Sequence, residues 1–242
     1  MKAIKTINLI KKYKDKVAVN NLNLEIKEGE LFSLLGVNGA GKTTTIKMLS
    51  CLVKPSSGDA ILLGDSIVDN PIKVKEKINV SPQETAVAPN LTVKENLETI
   101  VRLYGSSKKQ AKEKAEDMIK KFELTEIEKS KAKTLSGGYQ RRLSIAMALI
   151  SQPKILFLDE PTLGLDVIAR RELWEIIKKL KGKITIILTT HYLEEAEALS
   201  DKIGIMANGN LKAVGTAKEI VLRANSENFE DAFIKIAKEG GI

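Results

Sequence analysis

The segment Gly36-Val37-Asn38-Gly39-Ala40-Gly41-Lys42-Thr43-Thr44 lies between an apolar run, residues 31–35, and a helix-like stretch, residues 45–49. This order predicts a strand, a glycine-rich turn and a helix, and it fits the pattern G-x-x-x-x-G-K-[ST]. Glycines let consecutive backbone N–H groups surround a phosphate at a helix N-terminus, because no Cβ intrudes. We expect Lys42 to reach the β- and γ-phosphates of a nucleotide and the Thr43 hydroxyl to bind Mg²⁺. An ordinary glycine turn is the alternative, and the flanking strand and helix disfavour it.

Three further apolar runs lead to polar residues that suit nucleotide chemistry. The runs and the residues after them are 155–158 with Asp159 and Glu160, 184–188 with His191, and 78–80 with Gln83. Continuous apolar runs are typical of strands buried on both faces, and ligands of parallel sheets bind where such strands end. We expect Asp159 to bind Mg²⁺ and Glu160 to orient and polarise water. In isolation the two carboxylates fit a solvated turn equally well, and a lone histidine is more often structural.

The composition allows one large α/β domain and excludes several other classes of protein. The chain has 242 residues, a net charge of +8 and a single cysteine, so it forms no internal disulfide. Its apolar stretches are shorter than the ~20 residues that span a bilayer, and its first residues lack the apolar core of a signal peptide. We therefore expect contact with a membrane to go through a partner. The positive net charge is compatible with nucleic acid or an anionic membrane surface as a partner. The lysines are mixed with acids, as on a solvated surface, and only 4% of residues are aromatic, so nucleic acid is not the expected partner.

The regions around these motifs differ in their predicted secondary structure. Residues 1–35 predict β structure, and Leu22, Leu24 and Ile26 alternate with polar residues as in one half-buried strand. Residues 92–122 predict two helices separated by a turn at residues 105–107, with Tyr104 on the apolar face of the first helix. This helical block interrupts the alternation of strands and helices, so it resembles an inserted subdomain.

A second glycine motif, Leu135-Ser136-Gly137-Gly138-Tyr139-Gln140, precedes a helix predicted over residues 141–150. A serine and two glycines that open a helix can bind an anion, because exposed N–H groups lie at the positive end of the helix dipole. A plain helix N-terminus explains the same residues equally well.

The full set of motifs resembles the nucleotide-binding domain of ATP-binding-cassette (ABC) proteins. The resemblance extends from about residue 13 to residue 215, and it also includes Gly164-Leu165-Asp166. It implies an α/β fold of the P-loop NTPase type, with a mostly parallel core sheet, an N-terminal antiparallel β subdomain and an inserted α-helical subdomain. The expected boundaries are about 1–83 and 153–216 for the core with the β subdomain, about 84–152 for the helical subdomain with the signature loop, and 217–242 for short C-terminal helices.

The resemblance also implies a role for each motif. In this family two domains dimerise head to tail, and ATP lies between the phosphate loop of one and the signature loop of the other. By this likeness the signature residues Ser136, Gly137, Gly138 and Gln140 belong to the ATP site across the dimer. Tyr13, in the lysine-rich loop before the first strands, would stack on adenine. Gln83 would contact Mg²⁺ or water, Asp166 would lie at the dimer contact, His191 would hold the γ-phosphate and the attacking water, and Glu160 would act as the base.

The later part of the chain resembles the exporters of drugs, polysaccharides or lipids, in the segments 169–174, 191–206 and 209–215. The implied function is that of an ATPase subunit that uses ATP with Mg²⁺ as cofactor. This subunit would drive a separately encoded membrane permease from the cytoplasmic face of the cell membrane. A soluble member of the same superfamily that acts on DNA or ribosomes is the alternative. Such relatives carry a long coiled-coil insertion or a second cassette, and this sequence shows neither.

Overall fold

A computed structural model of the chain describes residues 1–239, and residues 240–242 lie outside the described part. The strands are β1 (Lys2–Tyr13), β2 (Lys16–Leu22), β3 (Glu25–Lys27), β4 (Leu31–Leu35), β5 (Ser57–Leu62), β6 (Asp65–Ser66), β7 (Ile78–Ser81), β8 (Ile155–Asp159), β9 (Thr185–Thr190), β10 (Lys202–Ala207) and β11 (Asn210–Gly215). The helices are α1 (Lys42–Leu49), α2 (Pro71–Lys75), α3 (Val93–Leu103), α4 (Lys108–Lys121), α5 (Gly137–Leu149), α6 (Val167–Lys178), α7 (Leu193–Leu199), α8 (Ala217–Ala224) and α9 (Phe229–Glu239).

The central sheet has six strands in the order β11-β10-β4-β9-β8-β7. The strands from β10 to β7 are all parallel, and only the edge strand β11 is antiparallel to its neighbour. Every residue of β4, β8 and β9 is buried. This burial explains why each of these strands contains a run of apolar residues in the sequence. The predicted mostly parallel core sheet is confirmed.

The N-terminal sheet is antiparallel, with the order β2-β1-β5-β6 and with β3 paired to β1. The prediction of one strand through residues 22–26 is wrong, because the strand is broken into β2 and β3. At the break, the Thr6 hydroxyl donates to the carbonyl oxygen of Leu22 at 2.9 Å and accepts from the N–H of Leu24 at 2.8 Å. A side chain of β1 therefore bonds to the backbone on both sides of the break. Tyr13 ends β1, so its predicted place in a loop is also wrong.

The helical block forms as predicted, with α3 and α4 packed together. Each begins with a capping box, Thr92 with Glu95 in α3 and Ser107 with Gln110 in α4. Tyr104 is 63% exposed, which contradicts its predicted apolar position, because it follows the last residue of α3 as its C-cap.

The helix after the second glycine motif begins at Gly137, four residues earlier than predicted. Ser136 is its N-cap, so both glycines of the motif belong to the first turn of α5. This helix contacts α3 on one side and β7 and β8 on the other.

One apolar cluster joins the helical block to the central sheet. It contains Leu97 and Ile119 from the helices together with Leu156 and Leu188 from the strands. A second cluster lies between the central sheet, α1 and the N-terminal sheet, and a third lies under α8 and α9. The predicted C-terminal helices are therefore present as far as the structure describes them. Within residues 1–239, none of the helices has the length and apolar character needed to cross a bilayer.

Candidate functional site

The register of the central sheet brings four strand ends to one edge. Leu35 pairs with Thr190, so Gly36 and His191 follow neighbouring strands at the same level. Asp159 pairs with Thr189, and Ser81 pairs with Leu158 in the next ladder. This register places the residues that follow the four apolar runs at the same edge of the sheet. A ligand at this edge would meet the ends of β4, β9, β8 and β7 together.

The phosphate loop has a backbone that only glycine fits at two positions. A Cβ at Gly36 would lie 2.4 Å from the carbonyl oxygen of Met206, and a Cβ at Gly41 would lie 2.5 Å from that of Ala18. Gly41 also has φ +106° and is the N-cap residue of α1, without a side-chain cap. The N–H groups of the first turn of α1 therefore face the loop at the positive end of the helix dipole.

The Glu160 carboxylate lies beside the phosphate loop, between the ammonium group of Lys42 and the imidazole of His191. Its Oε1 is 3.3 Å from Nζ of Lys42, and its Oε2 is 2.8 Å from Nδ1 of His191. Lys42 also donates to the carbonyl oxygen of Gly36 at 2.6 Å. Lys42 and Glu160 are both almost fully buried, so water screens their attraction little. The geometry holds one carboxylate against both a lysine and an imidazole.

The backbone of Glu160 has an unusual conformation, with φ +47°. Its N–H donates to the Thr189 hydroxyl at 3.0 Å and to the Thr189 carbonyl oxygen at 3.1 Å. A non-glycine residue in the left-handed region stores strain, and such residues cluster at functional sites. The bonds to β9 hold this residue in the strained geometry.

A pair of hard oxygen ligands lies beside the loop. The Thr43 hydroxyl donates to Oδ1 of Asp159 at 3.1 Å, and the Thr189 hydroxyl donates to the same atom at 2.5 Å. Mg²⁺ binds through one or two protein oxygens together with substrate phosphates and waters, so this donor set fits Mg²⁺. Within residues 1–239, no group of three or more His, Cys, Asp or Glu could hold a metal by itself. A metal here would therefore share its ligands with a phosphate.

A cavity of about 410 Å³ unites most of the predicted nucleotide-binding residues. Its lining contains Tyr13, Gln83, Glu160, His191 and the loop residues 38–44. Tyr13 is 45% exposed, and Nζ of Lys11 lies 5.0 Å from the centre of its ring. Gln83 is exposed, and its backbone carbonyl oxygen accepts a hydrogen bond from the guanidinium of Arg141 at 3.1 Å. Val37 lies outside this cavity and lines a neighbouring one with Asn38 and Gly39.

The signature residues form a separate cavity of about 330 Å³. Ser136 and Gly138 line it together with Asp166, which caps α6 by accepting from the N–H of Ala169 at 2.9 Å. The side-chain amide of Gln140 donates to the carbonyl oxygen of Leu135 at 3.1 Å, within the motif. Within one chain, the structure therefore does not bring the signature residues to the phosphate loop.

Arg141 is a site residue that the sequence reasoning missed. It is 3% exposed, and its guanidinium donates to the carbonyl oxygens of Pro82, Gln83 and Glu160 at 2.5, 3.1 and 2.7 Å. Burial lowers the pKa of this guanidinium, while the nearby charges of Asp159, Glu195 and Glu160 act in the opposite direction. Its place directly after Gln140 was visible in the sequence, but its carbonyl partners lie in distant segments. Arg141 therefore joins α5, the helix that begins in the signature motif, to the segments that carry Gln83 and Glu160.

A larger cavity, of about 980 Å³, lies at the opposite ends of the strands. It is lined by Phe122, Leu149, Leu180 and several lysines, and it contains no residue predicted to bind nucleotide. Its size alone does not connect it with the chemistry of the strand ends.

Comparison with known proteins gives consistent matches. The sequence profile of the ABC transporter family matches residues 19–163, more than half of the chain. The linearmycin resistance ATP-binding protein LnrL of Bacillus subtilis is 41% identical over 221 residues, which cover 91% of this chain and 71% of that protein. The doxorubicin resistance ATP-binding protein DrrA of Mycobacterium tuberculosis is 42% identical, over 86% of this chain and 63% of that protein.

A human relative is much longer than this chain. The phospholipid-transporting ATPase ABCA3 is 42% identical over 84% of this chain, but this chain spans only 12% of its length. Among solved structures, an ATP-binding subunit of an ABC transporter superimposes with a TM-score of 0.85 at 28% identity, over 98% of this chain and 100% of that one. A dimeric post-hydrolysis state of the ATP-binding cassette MJ0796, bound to ADP and Pi, gives a TM-score of 0.79 at 30% identity, over 88% of this chain and 98% of that one.

Proposed function

The chain belongs to the ABC transporter family and carries its ATPase cassette, and we propose that it is the subunit whose ATP hydrolysis drives a separately encoded membrane permease. The observation that carries the enzymatic part is the Glu160 carboxylate held between Lys42 and His191 at the edge of the phosphate loop. A carboxylate in this position can act as a general base toward water, while the lysine beside it attracts phosphate oxygens.

The roles proposed for the site residues combine their positions with the resemblance to the family. Backbone N–H groups of residues 38–43 and Nζ of Lys42 would bind the phosphates, and Thr43 and Asp159 would hold Mg²⁺. When bound, Mg²⁺ neutralises charge on the transferred phosphoryl group. Glu160 would accept the proton of the water that attacks the γ-phosphorus, and His191 would orient Glu160 and that water. Tyr13 would contact the adenine, and Gln83 would report the state of the site to the helical block.

The separation of the two cavities supports a dimer as the working form. Ser136 and Gly138 lie with Asp166 in their own cavity, and the phosphate loop lies in another. A second copy of the chain, or a related cassette, placed head to tail would bring the signature cavity of one against the phosphate loop of the other. MJ0796, a similar cassette, is dimeric in its post-hydrolysis state.

We also propose that the permease is an exporter and that the chain sits at the cytoplasmic face of the cell membrane. The relatives LnrL and DrrA are named for resistance to drugs, and ABCA3 is named for phospholipid transport. These names concern the relatives, and the substrate of this chain would be decided by its permease. Two exposed apolar residues at the end of α3, Leu103 and Tyr104, would form part of the docking surface, and the Tyr104 hydroxyl accepts a hydrogen bond from the side-chain amide of Asn79 at 3.4 Å.

The test is an affinity capture from detergent-solubilised membranes of the source cells. The bait is the Glu160→Gln variant, which we expect to bind ATP without hydrolysing it and thus to keep the dimer closed. The matched control is the Lys42→Ala variant, which should bind ATP poorly. Capture of a multi-span membrane protein that depends on ATP supports the proposal. Capture of ribosomes or DNA-repair proteins, with no membrane protein, would instead establish the soluble alternative.

A further inference from the structure

Three buried side-chain polar atoms between Glu160 and Glu195 in the chain have no hydrogen-bond partner. Within residues 1–239 they are the only buried side-chain polar atoms of this kind: Oγ1 of Thr162, Nε of Arg170 and Oε2 of Glu195. They come from the turn after Glu160, from α6 and from α7. Buried polar groups are nearly always paired, so each of these atoms calls for a physical explanation.

Glu195 has the most unfavourable surroundings of the three residues. It is fully buried, and its Oε1 accepts a hydrogen bond from the Trp174 indole N–H at 3.1 Å. Burial is the main cause that raises the pKa of this carboxyl above its ordinary value. The hydroxyls of Thr190 and Thr162 and the indole N–H face the carboxyl and oppose the shift only in part.

The charges around Glu195 do not compensate a carboxylate. Glu160, at the end of β8, raises the pKa of Glu195 further. Arg141 on α5 attracts it, but this guanidinium is committed to backbone carbonyl oxygens. Arg170 on α6 stacks over the rings of Trp174 and Tyr192 and makes no ion pair with Glu195. A buried carboxylate without an ion-pair partner costs far more than a neutral acid.

The position of Glu195 connects two functional segments. It lies in the first turn of α7, which begins two residues after His191. Its partner Trp174 lies on α6, the helix that Asp166 caps, and Thr162 belongs to the turn between Glu160 and Asp166. One carboxyl group therefore faces both the segment with His191 and the segment that leads to the second cavity.

We propose that Glu195 is a neutral carboxylic acid in the folded protein at neutral pH, and that it is a positioning residue for His191 and for residues 161–166. Its proton gives Oε2 a donor that faces the Thr162 hydroxyl, while Oε1 continues to accept from Trp174. The second half of the proposal rests on the proposed ATPase function, whereas the protonation state does not.

The protonation state is tested by urea denaturation at pH 5 and pH 8 of the wild type, Glu195→Gln and the control Glu194→Gln. A carboxyl group whose pKa is higher in the folded than in the unfolded chain stabilises the fold while it is protonated. This stabilisation is complete below the unfolded pKa of about 4.3, and it is lost as the pH rises through the folded pKa. Glutamine does not titrate. Between pH 5 and pH 8 we therefore expect the wild type to lose stability that Glu195→Gln does not lose. The urea midpoint of Glu195→Gln minus that of the wild type should be larger at pH 8 than at pH 5. The exposed neighbour Glu194 should show no such change. A Glu195→Gln midpoint that keeps the same offset from the wild type at pH 5 and pH 8, or that falls relative to it, would show that Glu195 is already ionised in the folded protein and overturn the proposal.

The positioning role is tested by the kinetics of Mg²⁺-dependent ATP hydrolysis. Glu195→Gln keeps both hydrogen-bonding partners and should retain kcat within about twofold, whereas Glu195→Ala orphans the Trp174 N–H and should lower kcat about tenfold with KM little changed. Leu199→Ala, a buried change on the same helix, controls for loss of stability and should leave kcat near the wild-type value. Equal losses in Glu195→Gln and Glu195→Ala, or an equal loss in Leu199→Ala, would refute the positioning role. A wild type that hydrolyses no ATP would refute the proposed function, and the urea series would still decide the protonation state.

Discussion

Arg141 donates a hydrogen bond to the carbonyl oxygen of Glu160 at 2.7 Å, across the boundary between the signature helix and the end of β8. The same guanidinium holds the carbonyl oxygens of Pro82 and Gln83. A single buried side chain thus fixes the relative position of the Gln83 segment, the catalytic carboxylate and the signature motif. Movement of α5 would be transmitted to the backbone of Glu160 through this contact.

We predict that Arg141→Ala lowers both stability and turnover. The change leaves several buried carbonyl oxygens without a donor, and we expect a loss of about 3 kcal/mol in the free energy of unfolding. We expect kcat for ATP to fall about a hundredfold, because Glu160 loses the bond that orients its backbone. The measurements are urea denaturation and steady-state ATPase kinetics. Arg102→Ala, at an exposed position of α3, is the control and should change neither value.

Arg141→Lys separates charge from geometry. Lysine keeps the positive charge but lacks the planar fork that reaches several carbonyl oxygens. We expect its kcat to lie close to that of Arg141→Ala. Wild-type turnover in Arg141→Lys would show that charge alone matters here.

The glycines of the phosphate loop should differ in their tolerance of a side chain. In Gly36→Ala the new Cβ would meet the carbonyl oxygen of Met206, so we expect a loss of about 3 kcal/mol in stability and weakened ATP binding. At Gly39 no atom lies within 4 Å of an added Cβ, although its φ is +81°. Gly39→Ala should therefore cost only about 1 kcal/mol, from backbone strain. Urea midpoints without nucleotide, followed by ATP titrations, measure both effects, and equal costs at the two positions would contradict this geometry.

The contact between Thr43 and Asp159 predicts a specific defect in the use of Mg²⁺. Thr43→Val removes the hydroxyl that donates to Asp159, and Thr43→Ser retains it. We expect Thr43→Val to raise the Mg²⁺ concentration for half-maximal ATPase activity at least tenfold, because one metal ligand is lost. ATP binding in the presence of a chelator should be similar in both variants. A Thr43→Ser variant as defective as Thr43→Val would show that the hydroxyl alone does not sustain the use of Mg²⁺ and would contradict this prediction.

The chemistry of the site was largely predictable because it depends on local sequence. The phosphate loop needs glycine at fixed positions beside a strand and a helix, and the buried strands that end at Asp159 and Thr190 contain the apolar runs 155–158 and 186–188. Parallel pairing of those runs then brings their ends together. These signals need no knowledge of distant contacts.

The features that were missed depend on distant contacts or on one side chain. The break between β2 and β3 is made by the Thr6 hydroxyl, from a strand 16 residues away, and alternation of apolar residues carries no trace of it. The role of Arg141 depends on carbonyl oxygens 18 to 59 residues away. The exposure of Tyr104 follows from the position at which α3 ends. Helix ends are uncertain by one or two residues, and an apolar pattern does not fix them.

The single cysteine gives a pH-dependent prediction. Burial raises the pKa of the Cys51 thiol, partly offset by the charge of Lys75. Since only the thiolate reacts with alkylating reagents, the raised pKa leaves less reactive thiolate at a given pH than in the unfolded chain. We expect iodoacetamide to label native Cys51 more slowly than the urea-unfolded protein at pH 8, with the two rates approaching each other as pH rises. A native rate equal to the unfolded rate at pH 8 would contradict the shift.

Mixing two inactive variants should restore activity if the two cavities meet across a dimer. Lys42→Ala damages the phosphate loop, and Ser136→Arg damages the signature cavity, where Ser136 lies beside Asp166. In a head-to-tail pair of these variants, one composite site carries both lesions and the other carries none, because each site takes its loop and its signature from different chains. We expect each variant alone to lose at least nine-tenths of its ATPase activity, and an equimolar mixture to recover about a quarter of the wild-type rate, since half of the randomly formed dimers hold one intact site. Ser136→Arg alone should still bind ATP as a monomer, because Ser136 is not part of the 410 Å³ cavity. A mixture no more active than its components would show that the signature motif acts within its own chain or not at all.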